Sequence, residues 1–331
     1  MHAMTTASAK RLHPIIYSTL SMEGMRGLVN RHYDLDEPVE CTFVSRSVSD
    51  TYRLSTPARR FALKVYRTNW RAREDIQWEI ETLRHMDARG VEVALPVARR
   101  DGELISEVRA PEGPRSAVLF HWARGHAPKY TNAEHALQYG RLLGKLHTAG
   151  DDAPPNALRP PMDMSYLLEK PLASIRTRLD DLPAVSPKLA ALEERVRAQA
   201  RRAERELRDW GFCHGDVWTN NARIDGTHLV LFDFDFSGSG WHVFDLASYR
   251  WDARRKGLEV TAWKPFIEGY LQIRPTAADS LKFIGLFMIL KSLWTASLFI
   301  ERAPETGTNF LSDEDLEDLV PFCEKIEATV E

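Results

Sequence analysis

Between Phe212 and Phe236 the chain gathers the residue types that do chemistry: His214, Asp216, Asn221, Asp233 and Asp235. A polar loop, His214 to Asn221, runs into Ala222–Asp225. Asp225-Gly226 is a turn signal, and the apolar run Leu229 to Phe232 then ends on Asp233. A short hairpin of this kind carries Asp216, Asn221 and Asp233 to one end of a small sheet. The interval from Asp216 to Asn221 fits the D-x-x-x-x-N of phosphoryl-transfer loops, and Asp233-Phe234-Asp235 stands where a metal-binding D-F-G follows. A hydroxyl attacking a phosphoryl group needs a carboxylate to orient it and take its proton, which suits Asp216. Magnesium on a nucleotide takes hard oxygen ligands, which suits Asn221 and Asp233. One Asx residue beside a glycine more often builds a turn. Three at these intervals favour phosphoryl transfer.

The run His214-Gly215-Asp216-x-x-x-x-Asn221 followed by Asp233-Phe234-Asp235 resembles the aminoglycoside phosphotransferase and choline kinase-like family. It is most similar to the branch of homoserine kinase-like proteins and the bacterial stress-response kinase A. The resemblance implies an α+β, two-lobed protein kinase-like fold, with an N-terminal antiparallel sheet and one helix before a larger, mainly helical lobe. It implies ATP and Mg2+ as cofactors, and places His214 and Asp235 beside the catalytic group or on the substrate side. Trp241 to Ala247 resembles the family's D-L-A segment, in which the acid, here Asp245, supports the catalytic loop from behind; a helix N-cap is the plainer reading. Two positions depart from the pattern. Trp218 stands where the family usually has a second histidine, and Thr219-Asn220 replaces small residues, both at the mouth of the substrate site.

Other elements must bring a nucleotide to these groups. Cys41 to Leu54 and Arg60 to Arg67 are rich in β-branched residues and predict an antiparallel sheet. Ser45 to Thr51 would be the loop over the phosphates, with Ser47 and Ser49 as candidate contacts and Asp50 in place of an asparagine. The loop has no glycine, and an ordinary hairpin turn fits it as well. Lys64 lies inside the strand Phe61-Ala62-Leu63-Lys64-Val65-Tyr66. A lysine is costly to bury without a charge partner, and this one matches the V-A-I-K pattern whose lysine reaches the α and β phosphates. On the helix predicted for 72–89, Glu79 shares the apolar stripe of Ile76, Ile80, Leu83 and Met86, so it needs a cation. Lys64 is the natural one; a neighbouring arginine is the alternative. Val91 to Pro96, Glu103 to Val108 and Ala117 to Phe120 read as strands. His121 and Trp122 then fall in the connection whose backbone would face adenine, or serve only in packing. These boundaries predict a nucleotide-binding lobe over 1–120, a connection over 121–126 and a catalytic, substrate-binding lobe over 127–331.

The remaining periodicity is helical: 134–147, 187–210, 261–272, 277–302 and 312–326. Gly140 and Gly144 would admit a second backbone, and His147 reads as structural. Asp151 to Pro161 is a Pro-rich loop. The 187–210 helix mixes arginines with glutamates, a solvated face and not a nucleic-acid stripe. Phe283 to Ile300 is a long apolar run, but Lys291 at its middle argues for a buried helix and against a membrane span. A net charge of −3 over 331 residues gives no sign of a bulk polyanion as partner. Three distant cysteines and no basic-then-apolar leader suggest a reducing cytoplasm. The expected activity is ATP- and Mg2+-dependent transfer of a phosphoryl group to a small-molecule hydroxyl. The alternatives are a protein Ser/Thr kinase of the stress-response kinase A type and a non-catalytic, nucleotide-binding pseudokinase. The sequence leaves the acceptor and the oligomeric state open.

Overall fold

The computed structural model describes residues 13, 15–154, 158–179, 182–307 and 311–330. Residues 1–12 and 14 and part of the Pro-rich loop over 151–161 therefore lie outside the described residues. The chain divides into two compact units, one ending at Arg71 and resuming over Ala98–Leu119, the other made of Ala72–Val97 and Phe120–Glu331.

The first unit opens with helix α1 (Met22–His32), capped by the Ser21 hydroxyl on the Gly24 N–H. A five-stranded sheet follows: β1 (Glu40–Arg46), β2 (Ser49–Ser55), β3 (Arg60–Tyr66), β4 (Ile105–Ala110) and β5 (Gly113–His121), in the order β1-β2-β3-β5-β4. β1–β2, β2–β3 and β4–β5 are antiparallel. The phosphate loop expected over 45–51 is much shorter. β1 runs through Arg46 and β2 begins at Ser49, so only Ser47 and Val48 turn the hairpin. Asp50 does not face a ligand there. It is fully buried and paired with Arg115, 3.2 Å away and also fully buried. That guanidinium further donates to the Tyr66 carbonyl at 2.9 Å. A buried carboxylate persists only with such compensation.

In the second unit, α2 (Arg73–Ala88) buries Ile76, Glu79, Ile80, Leu83 and Met86, the stripe expected from the sequence. The compact units do not follow the 1–120 boundary, since 72–97 belongs with the later residues. The physical tie is Arg159, whose guanidinium holds Asp75 at 2.5 Å and Glu79 at 2.8 Å. Val91 to Pro96 is not a strand. It makes isolated bridges only, Val93 with Leu231 and Pro96 with Phe120.

The helices are α3 (Ala133–Gly150), α4 (Lys170–Arg176), α5 (Ser186–Glu206), α6 (His242–Arg255), α7 (Glu259–Leu271), α8 (Ile284–Thr306) and α9 (Asp313–Thr329). Two small sheets lie among them: β6 (Trp210–Cys213) with β9 (Gly238–Trp241), and β7 (Ala222–Asp225) with β8 (His228–Leu231). α3 and α7 cross at near backbone contact. A Cβ on Gly140 would sit 1.9 Å from the Phe266 carbonyl oxygen, and one on Gly269 2.1 Å from that of Leu137. α8 is long and apolar enough, with the turn before it, to cross a membrane by length and composition, yet 72% of that window is buried within the fold.

Candidate active site

The loop between β6 and β7 is shaped from behind by α6. Asp245, fully buried in the first turn of that helix, accepts the backbone N–H groups of His214 at 2.6 Å and Gly215 at 2.8 Å. Its carboxylate thus faces the loop and does not cap its own helix. Gly215 is required where it stands. Its φ is +82°, and a Cβ there would lie 2.2 Å from the Phe236 carbonyl oxygen. Burial pushes the Asp245 carboxyl upward, against the pull of His214 and the two N–H groups. His147 also donates to it, Nε2 to Oδ2 at 3.0 Å, and accepts from the Tyr270 hydroxyl at 2.7 Å. Burial holds His147 well below its ordinary value, so it sits there neutral. His147, Cys213 and His242 bring possible ligand atoms within 4.8 Å of one another. Both His147 nitrogens are already engaged, however, and Nδ1 of His242 lies 2.8 Å from Asp209. The cluster is a hydrogen-bonded support.

His214 and Asn221 together fix the start of the D-F-D segment. His214 accepts the Asp216 N–H at Nδ1 and donates from Nε2 to the Phe232 carbonyl, 3.1 Å away. The Phe232 N–H donates to the Asn221 carbonyl at 3.1 Å. Both polar groups of Phe232 are thereby pinned to the loop. The next residue, Asp233, leaves β8 in the left-handed region at φ +66° with its carboxylate exposed. A non-glycine residue held there is a backbone outlier of the kind that collects at functional sites.

The side chain of Asn221 donates through Nδ2 to Asp216 twice, to the carbonyl and to Oδ2, both at 2.9 Å. Its Oδ1 accepts no hydrogen bond from a described residue, which leaves a hard oxygen for a cation. Asp216 is partly exposed (27% of its side chain), so its carboxylate is reachable. Trp218 does not intrude on these groups. Its carbonyl accepts from the Tyr139 hydroxyl of α3 at 2.9 Å and from the Asn221 N–H at 3.1 Å. Its ring lies under the Lys256 ammonium, 5.3 Å away.

The structure therefore brings His214, Asp216, Asn221 and Asp245 into direct contact, with Asp233 fixed one residue beyond. Asp235 is buried behind the segment. Lys64 is buried on β3 of the first unit, opposite Thr51 in the strand register and 5.1 Å from the Tyr66 ring. In that unit Ser47 is exposed at the hairpin tip and Ser49 is buried. His121 is exposed and Trp122 half-buried, and the His121 N–H already donates to the Leu95 carbonyl at 2.9 Å. Two residues not named as site residues from the sequence take part. Arg159 is a cation beside Glu79, and the Lys291 ammonium lies 3.0 Å from Asp216 Oδ1.

Residues 40–281 match the model of the phosphotransferase enzyme family. The chain belongs to that family. A curated relative of this phosphotransferase, the homoserine kinase of Neisseria meningitidis serogroup B, is 27% identical over 90% of the chain and 95% of the relative. Among solved structures, an amicoumacin kinase in complex with AMP-PNP, Ca2+ and Ami superposes with a TM-score of 0.72 at 19% identity, covering 93% and 94% of the two chains. A microcompartment-associated aminopropanol kinase gives 0.70 at 19% identity, over 93% and 96%. These neighbours share the kinase-like fold, the α+β architecture expected from the sequence.

Proposed function

We propose that this phosphotransferase moves the γ-phosphoryl group of ATP, with Mg2+, onto a hydroxyl of a small molecule. The observation that carries the reading is the division of labour at Asn221. Its amide nitrogen orients Asp216, while its amide oxygen is left to a metal. In this mechanism Asp216 accepts a hydrogen bond from the acceptor hydroxyl and then its proton, as that oxygen bonds to the γ-phosphorus. Asn221 Oδ1 and the Asp233 carboxylate would hold the metal, which would supply positive charge against the phosphates. Lys64 is the residue for the α and β phosphates. His214 and Asp245 keep the loop in register and exchange no proton.

A small acceptor is favoured over a protein because the segment after Asp235 is short. Gly238–Trp241 already pairs with β6, and α6 starts at His242, so nothing between them serves as an activation segment. The related homoserine and aminopropanol kinases also point to hydroxyl-bearing small molecules. The test is γ-labelled ATP with a panel of amino alcohols, hydroxy amino acids and aminoglycosides beside a generic protein acceptor, with and without Mg2+. Label on a small acceptor only when Mg2+ is present is the expected result. Label on protein alone, or equal transfer after chelation, would overturn it.

A further inference from the structure

We propose that Lys291 is a positioning residue for phosphoryl transfer, acting through Asp216. The inference rests on the reading of Asp216 as the group that meets the acceptor. Lys291 comes from the middle of α8, a long apolar helix, and is 3% exposed. Its ammonium lies 3.0 Å from Asp216 Oδ1 and 3.4 Å from the Gly215 carbonyl oxygen. The faces of Trp294 (4.3 Å) and Phe244 (5.5 Å) close off its remaining sides.

A buried ion pair adds little to stability over an apolar pair of the same volume. This lysine is therefore poorly explained as a core residue. Its carboxylate partner is also not a dedicated one, since Asp216 is the reachable acid of the site. What Lys291 supplies is geometry. Asn221 holds Oδ2 and Lys291 holds Oδ1, so rotation of the carboxylate is blocked from both sides. Each oxygen keeps a second lone pair, and one on the exposed side is left for a hydroxyl. Through the Gly215 carbonyl the same ammonium grips the loop backbone. Phosphoryl transfer passes through a loose transition state, in which placement of the attacking oxygen matters more than forceful proton removal. The bonding changes balance without the lysine. The acceptor oxygen bonds to the γ-phosphorus, the bond to the β–γ bridging oxygen breaks, ADP leaves, and the hydroxyl proton goes to Asp216. Lys291 takes no part in the proton transfer.

The experiment is a double-mutant cycle on the full chain: Lys291→Met, Asp216→Asn and both together, with Lys291→Arg as the conservative variant. The readout is single-turnover hydrolysis of Mg·ATP by water, so that no identified acceptor is needed, together with KM for ATP and Tm. With Asp216 intact, Lys291→Met should lower the rate by roughly 10–100-fold, with KM for ATP within about twofold. In the Asp216→Asn background it should cost nothing further, and Lys291→Arg should recover part of the loss. Asp216→Asn alone leaves a buried ammonium without its carboxylate, so the double variant should melt higher than that single one. An equal loss in both backgrounds would mean that Lys291 acts on the phosphates directly, and overturns the proposal; so does a rate unmoved by Lys291→Met. If Lys291→Met does not fold, the comparison of Asp216→Asn with the double variant decides alone. No Mg·ATP turnover in the unaltered chain removes the reading of Asp216, and this inference with it.

Discussion

Asp216 shows how few atoms the chemistry needs and how many hold them. Its two carboxylate oxygens face two different donors, the Lys291 ammonium on one side and the Asn221 amide on the other. An asparagine at this position has one oxygen and can satisfy only one of them. Asp216→Asn should therefore cut kcat by about 10²–10⁴ while Mg·ATP still raises Tm. A variant with kcat within twofold of the unaltered chain would remove Asp216 from the mechanism. The types and spacing of Asp216, Asn221 and Asp233 were legible in the sequence, because a metal-assisted transfer admits few residue types at few intervals. Lys291 was legible too, by the reasoning that singled out Lys64: a lysine inside an apolar run needs a counter-charge. Its partner was hidden because it lies 75 residues upstream, joined only by the packing of α8 against α6 and the loop.

Several helices declared themselves through one apolar face. α2, α3, α5 and α9 follow their stripes, and α9 starts at Ser312 with a capping box closed by Asp315. α6 escaped notice because nearly every residue from His242 to Tyr249 is buried, which leaves no polar face to set a period. The Gly140 spacing on α3 did announce a close crossing, and α7 fills it. Gly140→Ala should cost about 2–4 kcal/mol in urea unfolding, because backbone, unlike a side chain, cannot step aside from a 1.9 Å overlap. A loss below about 0.5 kcal/mol would show that the two helices separate freely. Arg159 had no local signal, being an arginine in a Pro-rich loop. Yet it joins α2 to the D-F-D segment, donating to the carbonyls of Phe234 (2.8 Å) and Ser237 (2.9 Å) as well as to Asp75 and Glu79. Arg159→Met should lower stability by about 3–5 kcal/mol. Arg159→Lys, with one compact charge in place of a planar fork, should recover only part of that. Hydrogen exchange over 73–88 and 234–237 should rise together in both variants; exchange confined to one segment would separate the two elements.

Across the whole molecule, the support behind the catalytic loop ties its folding to pH. His147 and His214 are fully buried, and burial lowers both from their ordinary value. An unfolded chain takes up protons on them as pH falls through about 6.5, while the folded chain resists, so stability is full above that pH and declines below it. Each uncompensated proton changes stability by about 1.4 kcal/mol per pH unit. Asp209 adds a second, more acidic loss. Burial alone would raise its carboxyl, but the hydrogen bond and charge of His242, with Arg274, outweigh it and hold the group well below the usual range. Its stabilisation is present above about pH 4 and fades as pH falls further. Asp245, pushed upward by burial, opposes these losses, and so shallows the acid limb without reversing it. Urea unfolding free energy measured from pH 8 to 3 should thus fall in two stages, one beginning near about 6.5 and one near about 4. His147→Gln, which keeps a hydrogen-bonding side chain without a titrating ring, should make the first stage shallower, with His214 still contributing, and leave the second unchanged. A stability that is level between about pH 7 and 5 in the unaltered chain would mean that His147 and His214 accept protons inside the fold, and that the loop they support tolerates the charge.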